Sequence, residues 1–130
     1  MPRIEHVALW VTNLDAMCAF YADAFGAAIG PLYENPRHGF ASRFVTLASG
    51  ARLEFMTTSE LHPVTLAPGA QRMGLTHLAL SLGSEAAVDE LTARLRARGV
   101  PVLDEPRRTG DGYYESVVLD PEGNRLELTV

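Results

Sequence analysis

Ile4-Glu5-His6-Val7-Ala8-Leu9 returns later in the chain as Leu75-Thr76-His77-Leu78-Ala79-Leu80, and Gly50-Ala51-Arg52-Leu53-Glu54-Phe55 returns as Gly123-Asn124-Arg125-Leu126-Glu127-Leu128. The two His lie 71 positions apart and the two Glu 73, while His and Glu within one half are 48 and 50 positions apart. Self-similarity at a fixed period outranks any local signal. Each half opens on a strand-like run holding a His and closes on one holding a Glu. Two imidazoles and two carboxylates at equivalent places suggest four ligands for one metal ion: His6, Glu54, His77 and Glu127.

The segments between these runs repeat as well. Ile4 to Val11 alternates as a strand, with His6, Ala8 and Trp10 on one face and Val7, Leu9 and Val11 on the other. Thr12-Asn13-Leu14-Asp15 reads as a helix start, apolar residues follow from Leu14 to Phe25 at helical spacing, and Gly26 ends the helix. Strands are expected over about 28–34, 40–47 and 51–56, with a loop at Asn35-Pro36-Arg37-His38-Gly39. The stretch 57–73, broken by Pro63, Pro68 and Gly69, reads as a linker. The order then recurs: a strand over 74–82, a helix capped by Ser84 and ending at Gly99, a strand over 100–103, a loop over 104–112, and strands over 113–119 and 125–130. The prediction is one α+β domain over 1–130, made of module one (1–57), a linker (57–73) and module two (74–130). Each module is strand, helix and three strands. Its helix covers one sheet face and leaves the other to be closed.

Alternation assigns the four candidates to that other face. Glu54 lies with Arg52 and Met56 opposite Leu53 and Phe55. Glu127 lies with Arg125 and Thr129 opposite Leu126, Leu128 and Val130. His77 lies with Ala79 and Ser81 opposite Leu78 and Leu80. Taken singly, a strand His is ordinarily a packed or surface residue and such a Glu an outward charge. The repeat changes the weighing, because the same residue types recur on the same face. Two carboxylates in one cleft repel and lose hydration, and a divalent cation offsets both costs. Mixed nitrogen and oxygen donors suit Zn, Ni, Co, Mn or Fe better than Ca or Mg.

The remaining residues read more plainly. His38 and His62 lie in loops and read as solvated, with rimming of the cleft as the alternative for His38. Cys18 reads as helix packing, with no base beside it. Trp10 and Met56 share the ligand face and read equally as pocket lining or core. A net charge of −5 over 130 residues argues against nucleic acid and an anionic membrane surface. No apolar run approaches the roughly 18–20 residues of a membrane span. One Cys and no signal-like start point to the cytoplasm.

The His-Val-Ala-Leu opening, Phe20-Tyr21 followed by Phe25-Gly26, Gly74-Leu75-Thr76-His77-Leu78-Ala79 and the closing Asp120-Pro121-Glu122-Gly123-Asn124-Arg125-Leu126-Glu127 resemble the vicinal oxygen chelate superfamily of glyoxalase, bleomycin-resistance and dioxygenase proteins. The closing run is the most specific part. The resemblance implies paired βαβββ modules forming an open barrel-like cleft around a metal. A carboxylate at Glu54 is nearest to glyoxalase I, and implies metal ligation by His6, Glu54, His77 and Glu127. The implied reaction is isomerisation of a thiol hemithioacetal of a 2-oxoaldehyde through an enediolate, with Glu127 as catalytic base and Glu54 as its mirror-image alternative. It also implies Zn or Ni, or else Co, Mn or Fe, as cofactor; glutathione or another small thiol as cosubstrate; and a homodimer, whose ligands come from one chain or from two. No glutathione-binding set is matched, and Arg37, Arg43, Arg107 and Arg108 read first as surface residues. The alternatives are a metal-dependent thiol transferase or other detoxifying enzyme, and a non-catalytic drug-binding protein.

Overall fold

Asn13 and Ser84 each start a helix in the same way. The Asn13 side chain accepts a hydrogen bond from Ala16 N at 3.0 Å, and Ser84 Oγ accepts one from Ala87 N at 3.1 Å, so each satisfies an N–H that has no partner inside the helix. The helices, α1 (Leu14–Phe25) and α2 (Glu85–Ala97), sit in a computed structural model that describes residues 1–130. Gly26 closes α1 at φ 65°, a left-handed conformation that a side chain would strain.

The chain divides into two compact units, Met1–Val64 and Thr65–Val130. In the first, strands β1 (His6–Trp10), β2 (Ala28–Ile29), β3 (Tyr33–Asn35), β4 (Phe40–Thr46) and β5 (Arg52–Thr57) form a sheet ordered β1-β5-β4-β2, with β3 also on β4. The first and last strands pair in parallel; β4 pairs antiparallel with β5, β2 and β3. One face packs on α1: Met17 and Tyr21 are fully buried, as are Val45 and Phe55, and the Tyr21 ring meets Phe55 at 5.0 Å. Full burial of each such side chain contributes about 1.5–3 kcal/mol.

The second unit repeats the plan with β6 (His77–Ser81), β7 (Val102–Arg108), β8 (Tyr114–Leu119) and β9 (Arg125–Thr129), ordered β6-β9-β8-β7. β6 and β9 pair in parallel. Val88, Leu91 and Leu95 of α2 are buried with Val118, Leu126 and Leu128. The one polar pair here is satisfied: Thr92 Oγ1 lies 2.7 Å from Ser116 Oγ and donates to Val88 O at 2.6 Å. Asp120 organises the turn from β8 to β9. Its carboxylate accepts from Glu122 N at 2.9 Å, Asn124 N at 3.0 Å and Asn124 Nδ2 at 2.9 Å. That is the physical content of the Asp-Pro-Glu-Gly-Asn run.

Three local expectations are corrected. The strand expected over 28–34 is two short ones. Gly30 N donates to Phe44 O at 2.8 Å and the backbones approach closely there, but Pro31 has no N–H, so the ladder stops. The loop expected over 104–112 is strand as far as Arg108. β7 is an edge strand, where Pro106 costs no ladder bond, and it shifts register twice between Val102 and Arg107. The loop at 35–39 contains a 3₁₀ turn over Pro36–His38, capped by the Asn35 side chain.

Candidate functional site

In both units the register places the His and Glu the same way. His6 pairs with Arg52 and Ala8 with Glu54; His77 pairs with Arg125 and Ala79 with Glu127. Side chains two apart on a strand share a face, so each His meets the Glu diagonally across a parallel ladder. His6 Nε2 lies 3.8 Å from Glu54 Oε1, and His77 Nε2 lies 3.2 Å from Glu127 Oε1. All four point away from the helix face. Glu54 and Glu127 are mostly shielded, with side-chain exposures of 18% and 22%. Neither unit gathers three or more His, Cys, Asp or Glu side chains into a metal-holding group. Each supplies one nitrogen and one oxygen donor.

The surroundings of the two pairs differ. His6 Nδ1 bonds the Glu5 carboxylate, which also receives the Arg52 guanidinium. The other ring nitrogen, Nε2, faces Glu54. A ring nitrogen facing a carboxylate oxygen, with the second ring nitrogen held by another carboxylate, fits the donor chemistry of a metal site. The hydrogen bond from His6, then the one from Arg52, hold the Glu5 carboxyl below its ordinary value. The His6 ring stands edge-on to Phe44 at 5.4 Å, and Arg52 covers the same Phe44 ring at 3.9 Å. In the second unit Thr76 stands where Glu5 does, and Arg125 donates to Gly69 O at 2.5 Å.

Glu115 shares the face of Glu127, and the sequence reading passed over it. It is buried on β8, opposite Thr129 and beside Arg107, whose Nη1 donates to Glu115 O at 3.0 Å and whose Nη2 lies 3.9 Å from Glu115 Oε1. Burial, then the charge of Glu127, raise the Glu115 carboxyl above its ordinary value. The signal was its alternation with Val117 and Leu119, obscured because Glu115 sits between two Tyr and Ser116 at the start of the strand.

His38 and His62 are exposed, as expected, and they also rim a groove in the first unit with Trp10, Tyr33, Phe40 and Glu60. Trp10 is therefore pocket lining and not core. Cys18 is buried, and burial pushes its thiol up, which agrees with a packing role. Three of the four Arg are engaged: Arg43 Nη1 donates to Gly30 O at 2.8 Å, Arg107 pairs with Glu115, and Arg108 pairs with Glu85 and lies over Tyr114. Arg37 is exposed. No helix is long and apolar enough to cross a membrane.

Comparison with known proteins gives the family of the chain. An uncharacterised protein of Pseudomonas aeruginosa is 33% identical over 137 residues, covering 98% of this chain and 88% of that one. Biphenyl-2,3-diol 1,2-dioxygenase 3 of Rhodococcus globerulus is 31% identical over 144 residues, covering 99% of this chain and 63% of that protein. The trypanothione-dependent glyoxalase I of Leishmania major superposes with a TM-score of 0.76 at 22% identity, over 99% of this chain and 86% of that one, a likeness of fold. With residues 3–128 matching the family described as Glyoxalase/Bleomycin resistance protein/Dioxygenase superfamily, the chain belongs to that superfamily.

Proposed function

We propose that the protein is a glyoxalase I-like metalloenzyme that isomerises the hemithioacetal of a 2-oxoaldehyde and a small thiol such as glutathione, with His6, Glu54, His77 and Glu127 holding one divalent ion. The observation that carries this reading is the equivalent His–Glu pair in each unit, one nitrogen and one oxygen donor on the same sheet face. The carboxylate at Glu54 favours this reaction over chemistries that use two His and a single Glu. Such an ion, Zn or Ni or else Co, Mn or Fe, supplies Lewis acidity that makes a carbon-bound proton beside an oxygen removable.

In this reading Glu127 is the base. Its carboxylate takes the proton from one carbon of the substrate and returns it to the neighbouring carbon. Glu54 is the mirror-image alternative for the opposite substrate face. Glu115 lies beside Glu127 where the first unit has Ser42, so the two carboxylates have different surroundings. The protein would act as a cytoplasmic homodimer with ligands from one chain or two.

Turnover of methylglyoxal with a panel of thiols tests the reaction. His77→Ala should lose metal, measured by elemental analysis after dialysis; full retention would overturn the ligand set. Mixing inactive His6→Ala and His77→Ala chains should restore activity only if each site draws on both chains. The likeness to a biphenyl-diol dioxygenase favours a second reading, oxygen-dependent cleavage of an aromatic diol. Oxygen uptake with catechol decides between the two.

A further inference from the structure

The groove of the first unit lies on the same sheet face as His6 and Glu54. Along β1 the face carries His6, Ala8 and Trp10; along β5 it carries Arg52, Glu54 and Met56. Met56 is opposite Ser42 on β4, and Ser42 is opposite Tyr33 on β3. Trp10, Met56, Ser42 and Tyr33 thus form one row across four strands, with Phe40 two residues from Ser42 on the same face. At about 3.3 Å per residue, this row is roughly 7 Å along β5 from Glu54 and roughly 13 Å along β1 from His6. A small molecule can span that distance.

The groove is built and polar at one end. Its volume is about 790 Å³, within the roughly 300–1,000 Å³ of small-molecule sites. Trp10 and Tyr33 stand nearly perpendicular to Phe40, at 6.2 and 5.9 Å, and remain 55% and 59% exposed. Three aromatic rings against one aliphatic side chain, Leu61, make walls that favour another flat ring edge-to-face or stacked. The far wall is fixed in place: the His38 carbonyl accepts hydrogen bonds from Thr58 Oγ1, Ser59 Oγ and Ser59 N at 2.9, 2.7 and 3.1 Å. Glu60, the one acid of the lining, is paired with His38 Nδ1 at 3.2 Å at the exposed rim of the groove.

We propose that this groove is the subsite for an aromatic substituent of the substrate, so that the 2-oxoaldehyde carries an aryl group; this rests on the reading of the site given above. Trp10 is the only Trp in the chain, so one indole N–H cross-peak reports on the groove without metal or turnover. Titration of the ¹⁵N-labelled protein with benzyl alcohol should give a saturating shift of that peak. Cyclohexylmethanol, equally apolar but without a π-system, should bind about threefold to tenfold more weakly, and choline should leave the peak unmoved. Tyr33→Ser, at an exposed position, should weaken benzyl alcohol binding with the rest of the spectrum unchanged. The proposal is overturned if benzyl alcohol gives no saturation, if cyclohexylmethanol matches it, or if choline alone shifts the peak. It is equally overturned if protein concentration alone moves the peak, since a second copy then fills the groove. In turnover, Tyr33→Ser should lower kcat/KM for the phenylglyoxal hemithioacetal relative to that of methylglyoxal by about the same factor, and an unchanged ratio would refute the subsite. If no hemithioacetal is turned over while benzyl alcohol saturates, the reaction assignment fails and the aromatic groove stands.

Discussion

Beyond its His–Glu pair, the first module lines up Trp10, Met56, Ser42 and Tyr33 across its strands, and the second lines up Ser81, Thr129, Glu115 and Arg107 at the matching register. The backbone plan and the donor pair are shared. The neighbouring row ends in two exposed aromatic rings, Trp10 and Tyr33, in one module and holds a charged pair, Arg107 and the buried Glu115, in the other. The pairing of first and last strands constrains where a His and a Glu can meet, so a duplicated module keeps that geometry at no extra cost. The next row makes no such pair and is free to diverge. Equivalent His–Glu pairs with unequal neighbours would suit the asymmetric reaction proposed above.

The largest expected effect tests whether the two carboxylates have parted in role. Glu127→Gln should keep metal, measured by elemental analysis, and lose turnover by about two to four powers of ten. Glu54→Gln should lose less. A dead Glu54→Gln with metal bound, beside an active Glu127→Gln, would reverse the assignment. Next come the helix-facing sides, apolar in one module and partly polar in the other. Phe55→Ala should cost about 3–5 kcal/mol, and Thr92→Val about 1–3 kcal/mol because Ser116 loses its buried partner; urea midpoints would show both. Equal losses would mean that the Thr92–Ser116 bond matters as much as a filled core.

A smaller effect separates the two His. Glu5→Gln removes the carboxylate that orients His6 and should weaken metal binding about 10–100-fold in a competition assay with a chelator. Thr76→Val should change it little, because His77 has no such carboxylate beside it in sequence. The smallest effect tests equivalence: Asn13→Ala and Ser84→Ala should each lower stability by about 1 kcal/mol.

The two His–Glu pairs were legible because three signals agreed on them: repeat, alternation and residue type. The helices were legible because Asn13, Ser84, Gly26 and Gly99 mark their ends by chemistry that acts locally. What the sequence hid was decided by position in the sheet. Pro106 reads as a loop residue until β7 is known to be an edge. Gly30-Pro31 reads as strand until the missing N–H is counted against the ladder. His38 and His62 gain meaning only from hydrogen bonds that fold residues 58–62 onto a turn 20 positions earlier. Glu115 was passed over because its partner Arg107 lies in the misread loop.

The parallel pairing of each module's first and last strands has a kinetic consequence. His6 and Glu54 meet only after the 47 residues between them have closed a loop, and non-local contacts of that kind are the ones that slow folding. The His–Glu pair therefore waits on the longest loop closure within its module. A chelatable ion added during refolding would report the end of the process, and a chain stopped short of β9 would lack both Glu127 and the strand that holds His77 in place.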